Sequence, residues 1–140
     1  MVGLIRRMNS SKDIQSEEDI IILVNTFYDK VKQDKIIGYI FHEAIGEDWS
    51  HHLPIMYRFW GTVLLNVQGY VGNPIAKHVE LDKRIPLKEQ HYDRWLQLWE
   101  ETVDTLFAGN VADIAKQKAK LMLQLIATKV NLAREGKSIM

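Results

Sequence analysis

The chain contains no cysteine. That absence excludes disulfide staples, thiolate metal ligands and zinc ribbons together, and it fits a reducing compartment. Neither sign of charge is in excess, since eighteen Lys and Arg balance eighteen Asp and Glu. No global field therefore draws the protein to nucleic acid or to an anionic membrane, and neither is expected as a partner. The local basic clusters are short. Lys83 and Arg84 are adjacent, and Lys116, Lys118 and Lys120 alternate, which on a helix sends them to opposite sides. A solvated surface accounts for them better than a phosphate-binding stripe. Long hydrophobic runs are missing too. The longest, Ile20 to Val24, is far too short to span a bilayer. Met1 to Ser11 holds two arginines but no apolar stretch of signal-peptide length. The expectation is a soluble cytoplasmic protein. Also absent are a phosphate-cradling glycine loop, a paired-carboxylate site with evident geometry, and any His-x-x-x-His on one helix face.

What is present is a globular balance. The 140 residues suit one domain, with 46% hydrophobic and 26% charged residues. Residues 1–15 are polar and aperiodic and read as a flexible arm, leaving 16–140 as the domain. Ser16 with Asp19 three residues on resembles a capping box. Val24, Phe27, Tyr28 and Val31 then recur at helical spacing. Residues 36–42 form a short helical turn, and a second long helix should start near Trp49, with Pro54 in its first or second turn. Its face reads His52, Met56, Phe59 and Val63. Gly69 to Gly72 breaks it. Asn73-Pro74 starts a short segment through Leu81 that ends in Asp82-Lys83-Arg84. Pro86 starts the next helix, whose apolar face is Tyr92, Trp95, Leu96, Trp99, Val103, Leu106 and Phe107. Gly109 stops it and Asn110 caps the last, which carries Ile114, Leu121, Leu125 and Ala127 to Val130. No heptad or internal repeat persists. The class is all-α, with five or six helices.

Four blocks then carry a resemblance: Phe27-Tyr28-Asp29-Lys30-Val31, Phe59-Trp60-Gly61-Thr62-Val63-Leu64-Leu65, Gly72-Asn73-Pro74-Ile75-Ala76-Lys77-His78, and Trp95-Leu96-Gln97-Leu98-Trp99-Glu100-Glu101. In order and spacing they resemble group III truncated haemoglobins, over residues 17–130. The missing Gly-Gly pair, which usually marks groups I and II, points the same way. The resemblance implies an abbreviated globin fold, a two-over-two helical sandwich around haem b, with most of the first helix gone. Haem would lie between the helix carrying His52 and the segment carrying His78.

By position, the resemblance makes His78 the protein ligand to iron. A neutral imidazole is a good axial ligand, and its other nitrogen can donate to a backbone carbonyl that fixes the ring. Without the resemblance, a lone histidine in a short amphipathic segment reads as a surface or core residue. Tyr28 matches the family's distal tyrosine, Trp95 its distal tryptophan, and Phe41 the phenylalanine that packs on the porphyrin. A phenol and an indole each bring a ring to pack and one donor to a diatomic ligand that carries partial negative charge. Together they could slow oxygen release by roughly one to three orders of magnitude. Both also read as core aromatics at helical spacing. His52 falls where the family often places a gating histidine. It could admit or bar ligands, bind iron as a sixth ligand, or point into solvent beside His51. Met56 fills an apolar distal position and could shape the cavity without bonding to iron. Lys77 and Arg84 read either as partners of the haem carboxylates or as ordinary surface charge. His42 and His91 match nothing in the family pattern.

The leading expectation is a haem protein that reversibly binds oxygen, carbon monoxide or nitric oxide and releases oxygen slowly. An enzyme is the alternative, a nitric oxide dioxygenase or a peroxidase-like activity. Turnover would need a separate reductase, since no flavin or nicotinamide motif is present. A bis-histidine electron carrier using His52 and His78, and a helical interaction module without cofactor, stand behind these. A monomer or weak homodimer is expected.

Overall fold

A computed structural model describes residues 11–70 and 72–136, and among these it contains six helices. They are α1 (Glu17–Gln33), α2 (Gly38–Ile45), α3 (His52–Leu65), α4 (Pro74–Arg84), α5 (Glu89–Leu106) and α6 (Asn110–Arg134). None is long and apolar enough to cross a membrane. The α1 helix packs on α3 and α5, α5 pairs with α6, and α4 lies along α6. This is the two-over-two arrangement that the resemblance implies, an all-α abbreviated globin fold.

The start of α1 follows the sequence reading. Ser16 Oγ accepts from the Asp19 N–H at 3.2 Å, and the Asp19 carboxylate accepts from the Ser16 N–H at 3.2 Å. Phe27 and Val31 are fully buried on the face that the spacing predicts. Phe27 meets the rings of Tyr28, Trp95 and Trp99 edge-on at 4.9–5.0 Å. Trp99 stacks on Trp60 at 4.4 Å and on Trp95 at 5.5 Å, so three indoles from α3 and α5 fill the centre. The Trp99 indole N–H donates to Ala115 O at 3.2 Å, which satisfies its one polar atom.

Several boundaries and faces differ from expectation. Of the expected arm, residues 1–10 lie outside the described residues, and 11–15 are docked on the domain. Lys12 O accepts from the Ala108 N–H at 2.9 Å, and Ile14 is buried in the core. Asp13 accepts from the Val111 and Ala112 N–H groups at 2.9 and 2.8 Å. These are first-turn donors of α6, so Asp13 rather than Asn110 caps that helix. Gly109 makes this possible. Its φ is +141°, and a Cβ there would come within 2.5 Å of Asp13 Cγ.

The face assigned to α6 is corrected in part, with Val130 buried as expected. Ile114, Leu121 and Leu125 are exposed, whereas Ala112, Ala115, Ala119, Ile126 and Val130 are buried. Small residues let α6 approach Trp99 closely, and that contact decides the buried face rather than residue hydrophobicity. The α5 helix starts at Glu89 rather than Pro86, because the Leu87 N–H is taken by Asp82 at 2.8 Å and the Lys88 N–H by His91 Nδ1 at 3.0 Å. The α3 helix ends before Gly69, at Asn66 in a left-handed conformation with φ 58°.

Among the described residues three ion pairs tie helices together, one of them between Lys116 of α6 and Asp104 of α5 at 2.7 Å. Arg134 of α6 grips the buried Asp82 of α4 through Nε at 2.9 Å and Nη2 at 2.5 Å. Arg94 of α5 holds Asp34, just past α1, at 2.7 Å.

Candidate functional site

The helices leave between them a cavity of about 620 Å³. Its size falls within the roughly 300–1,000 Å³ usual for small-molecule sites, and its walls are mostly apolar. Tyr28, Phe41, His52, Met56, Lys77, His78, Arg84 and Trp95 all line it. The residues named from sequence thus converge on one space, contributed by α1, α2, α3, α4 and α5.

The α4 helix begins where Asn73 Oδ1 accepts from the Ala76 N–H at 3.0 Å, with Pro74 as its first residue. One turn on, His78 Nδ1 lies 2.5 Å from Pro74 O and donates to it. That bond fixes both ring and tautomer, and leaves Nε2 as a lone-pair atom with no protein partner among the described residues. Burial lowers the pKa of His78, and the bond to Pro74 offsets part of that shift. The ring is therefore neutral and oriented, as a metal-ligating imidazole must be.

His52 opens α3. It meets Tyr28 edge-on at 5.6 Å and Trp49 at 5.7 Å, and points inward while His51 is exposed. Its Nε2 is buried without a hydrogen-bond partner among the described residues. Burial, then the nearby charges of Lys77 and His51, bring its pKa down to about 4. Tyr28 is almost fully buried, and burial raises its pKa, so the phenol stays protonated. Neither its hydroxyl nor the Trp95 indole N–H finds an acceptor among the described residues. Two donors and one unpaired imidazole nitrogen therefore belong to the same cavity.

Phe41 lies 5.8 Å from Tyr28 and stacks on Trp49 at 6.3 Å, and Met56 adds an adaptable apolar surface from α3. The mouth is polar. Asp48, His51, Lys77, Glu80 and Arg84 line it and are exposed, and neither Lys77 nor Arg84 forms an ion pair among the described residues.

Among the lining residues that sequence reasoning gave no site role, His91 and Tyr92 carry polar groups shielded from solvent. His91, left without a role, is buried. Its Nδ1 accepts from the Lys88 N–H, so Nε2 carries the proton and donates to Tyr39 Oη at 3.3 Å. Tyr92 was read only as part of an apolar face. Its hydroxyl is buried with no partner among the described residues, and burial together with the Asp82 charge outweighs Arg134 and pushes its pKa up to about 12. Its three-residue offset from Trp95 was the available signal.

A flat apolar cofactor with an anionic edge and a metal centre fits this donor set. An oriented imidazole lies on one helix, unpaired donors lie on the others, and free cations stand at the mouth. Together with the helix order and packing, that combination fits a protein of the globin class.

Comparison with known proteins makes the class specific. A scan against models of protein families matches none. The chain is 33% identical over 110 residues to "Group 3 truncated hemoglobin ctb" of Campylobacter jejuni, covering 76% of this chain and 84% of that protein. It also superposes on the crystal structure of group III truncated hemoglobin from Campylobacter jejuni with a TM-score of 0.78, at 28% identity, covering 86% of this chain and 94% of that one. The chain belongs to the group III truncated haemoglobins. Membership implies a haem cofactor.

Proposed function

We propose that the chain holds one haem b in this cavity, with His78 Nε2 as the protein ligand to iron, and reversibly binds oxygen, carbon monoxide or nitric oxide. The observation that carries the reading is His78 itself, with Nδ1 tied to Pro74 O and Nε2 left free on the cavity wall. Haem would supply, when bound, an iron centre able to take a diatomic gas.

This chain's residues set the terms. Phe41, Met56 and Phe59 wall the cavity with apolar surface and exclude water. Tyr28 and Trp95 offer two protonated donors on the α1 side, which favours a polarised ligand and slows oxygen release. His52, neutral near pH 7, lines the same cavity beside Tyr28 and gates entry. Lys77 and Arg84 attract the carboxylates of the cofactor. Slow release suits scavenging, sensing or redox chemistry better than transport.

The unpaired His52 Nε2 also favours a second reading, in which His52 and His78 both bind iron and the protein carries electrons. Absorption spectra of the haem-loaded protein test both. One haem per chain with a Soret band that shifts with carbon monoxide is the expected result. A five-coordinate ferrous spectrum supports gas binding, and a six-coordinate low-spin one supports the bis-histidine form. Weak binding without stoichiometry contradicts both.

A further inference from the structure

Two side-chain polar atoms are buried without a partner among the described residues, His52 Nε2 and the Tyr92 hydroxyl, and both residues line the cavity. His52 has a role in the reading above, and Tyr92 has none. A buried hydroxyl left unpaired is unfavourable, and Tyr92 is a lining residue, so the combination points to an acceptor that arrives with the ligand.

Tyr92 and Trp95 stand three residues apart on α5, so both face the cavity about one turn from each other. Their neighbours differ. Trp95 meets Phe27 of α1 at 4.9 Å, on the side of Tyr28. Tyr92 instead lies in the field of Asp82 on α4 and Arg134 on α6, and α4 is the helix that carries His78. The Asp82 carboxylate does not serve as its acceptor. Oδ1 is taken by the Leu87 N–H at 2.8 Å and by Arg134 Nη2 at 2.5 Å, and Oδ2 by Arg134 Nε at 2.9 Å.

We propose that the Tyr92 hydroxyl donates a hydrogen bond to a peripheral carboxylate of the tetrapyrrole, on the His78 side of its plane. The inference rests on the haem reading and extends it to a residue with no assigned role. Chemistry selects the acceptor. A buried, protonated phenol is useful as a donor, and away from its metal a haem offers no acceptor as strong as its carboxylates. Arg84, two residues beyond Asp82 on α4, lines the same cavity with its cation unpaired among the described residues. An anionic edge placed there gains a buried donor and an exposed charge together.

The test compares wild type and Tyr92→Phe as holoproteins, following haem loss to excess apomyoglobin. Each is loaded either with iron protoporphyrin or with its dimethyl ester, which keeps the ring but removes the anionic acceptors. The variant should lose native haem roughly tenfold faster, equivalent to about 1.4 kcal/mol. The two proteins should lose the ester within about twofold of one another. Urea unfolding of the apoproteins should show no loss of stability in the variant, because the hydroxyl has no partner to lose among the described residues. Equal loss of native haem from both proteins overturns the proposal. An undiminished difference with the ester overturns the carboxylate as acceptor, and a destabilised apo variant overturns the absence of a protein partner. Wild type that fails to bind haem stoichiometrically overturns the parent reading, and this one with it.

Discussion

Replacing Tyr28 by phenylalanine removes one oxygen atom and leaves every ring contact in place. The ring meets Phe27, Phe41, Trp49 and His52 at centroid distances of 4.9–5.8 Å. The hydroxyl makes no hydrogen bond among the described residues, so the apoprotein loses no internal interaction. Urea midpoints of the two apoproteins should therefore agree within about 0.5 kcal/mol. The change should appear only with a polar gas bound. A hydrogen bond contributes about 0.5–1.5 kcal/mol to a neutral acceptor and about 1.5–3 kcal/mol to a charged one. A partly charged acceptor falls near 1.5 kcal/mol, roughly tenfold in a rate constant. Stopped-flow displacement of oxygen by excess carbon monoxide reads that rate directly. Tyr28→Phe should release oxygen roughly tenfold faster, whereas release of the less polarised carbon monoxide should change far less. An oxygen release rate within about twofold of wild type would show that the phenol packs and does nothing else.

Two further outcomes follow from the same structure. His52 has a pKa brought from 6.5 down to about 4, by burial first and then by Lys77 and His51. Between those pH values the unfolded chain takes up a proton that the folded chain refuses, so stability is complete above about pH 6.5 and falls as pH drops toward 4. Because the ring is not fully enclosed, solvent screening reduces this to about 1–2 kcal/mol. Burial lowers His78 and His91 in the same direction, so His52→Phe should shrink the pH dependence of apoprotein unfolding without abolishing it. An unchanged pH dependence would refute the assignment. Asp13→Ala removes the acceptor for two first-turn N–H groups of α6 and should cost about 1–2 kcal/mol in urea unfolding. No shift of the midpoint would mean that water caps that helix equally well.

What could be read from the chain divides along a physical line. Local features were legible, such as the Ser16–Asp19 cap and the Asn73-Pro74 helix start, because their partners lie within one turn. Eight of the lining residues were legible through the family resemblance, with spacing alone leaving His78 and Trp95 as ordinary core or surface residues. Features that depend on distant partners were not. Asp13 caps a helix some 98 residues away, and no local pattern marks it. The buried face of α6 follows from how closely Trp99 approaches its alanines, so ranking residues by hydrophobicity selected Leu121 and Leu125, which are exposed. Tyr92 was hidden in the same way. Its ring fits an apolar stripe, and only the structure shows a buried hydroxyl without a partner among the described residues.

The central claim is that His78 Nε2 is the protein's ligand to haem iron, and removing the imidazole while leaving its space tests it most directly. Haem-loaded His78→Gly should lose the wild-type ferrous spectrum, lose haem faster, and regain both properties when free imidazole is added. A variant with unchanged ferric and ferrous spectra, indifferent to imidazole, would contradict the account and place the iron on another residue.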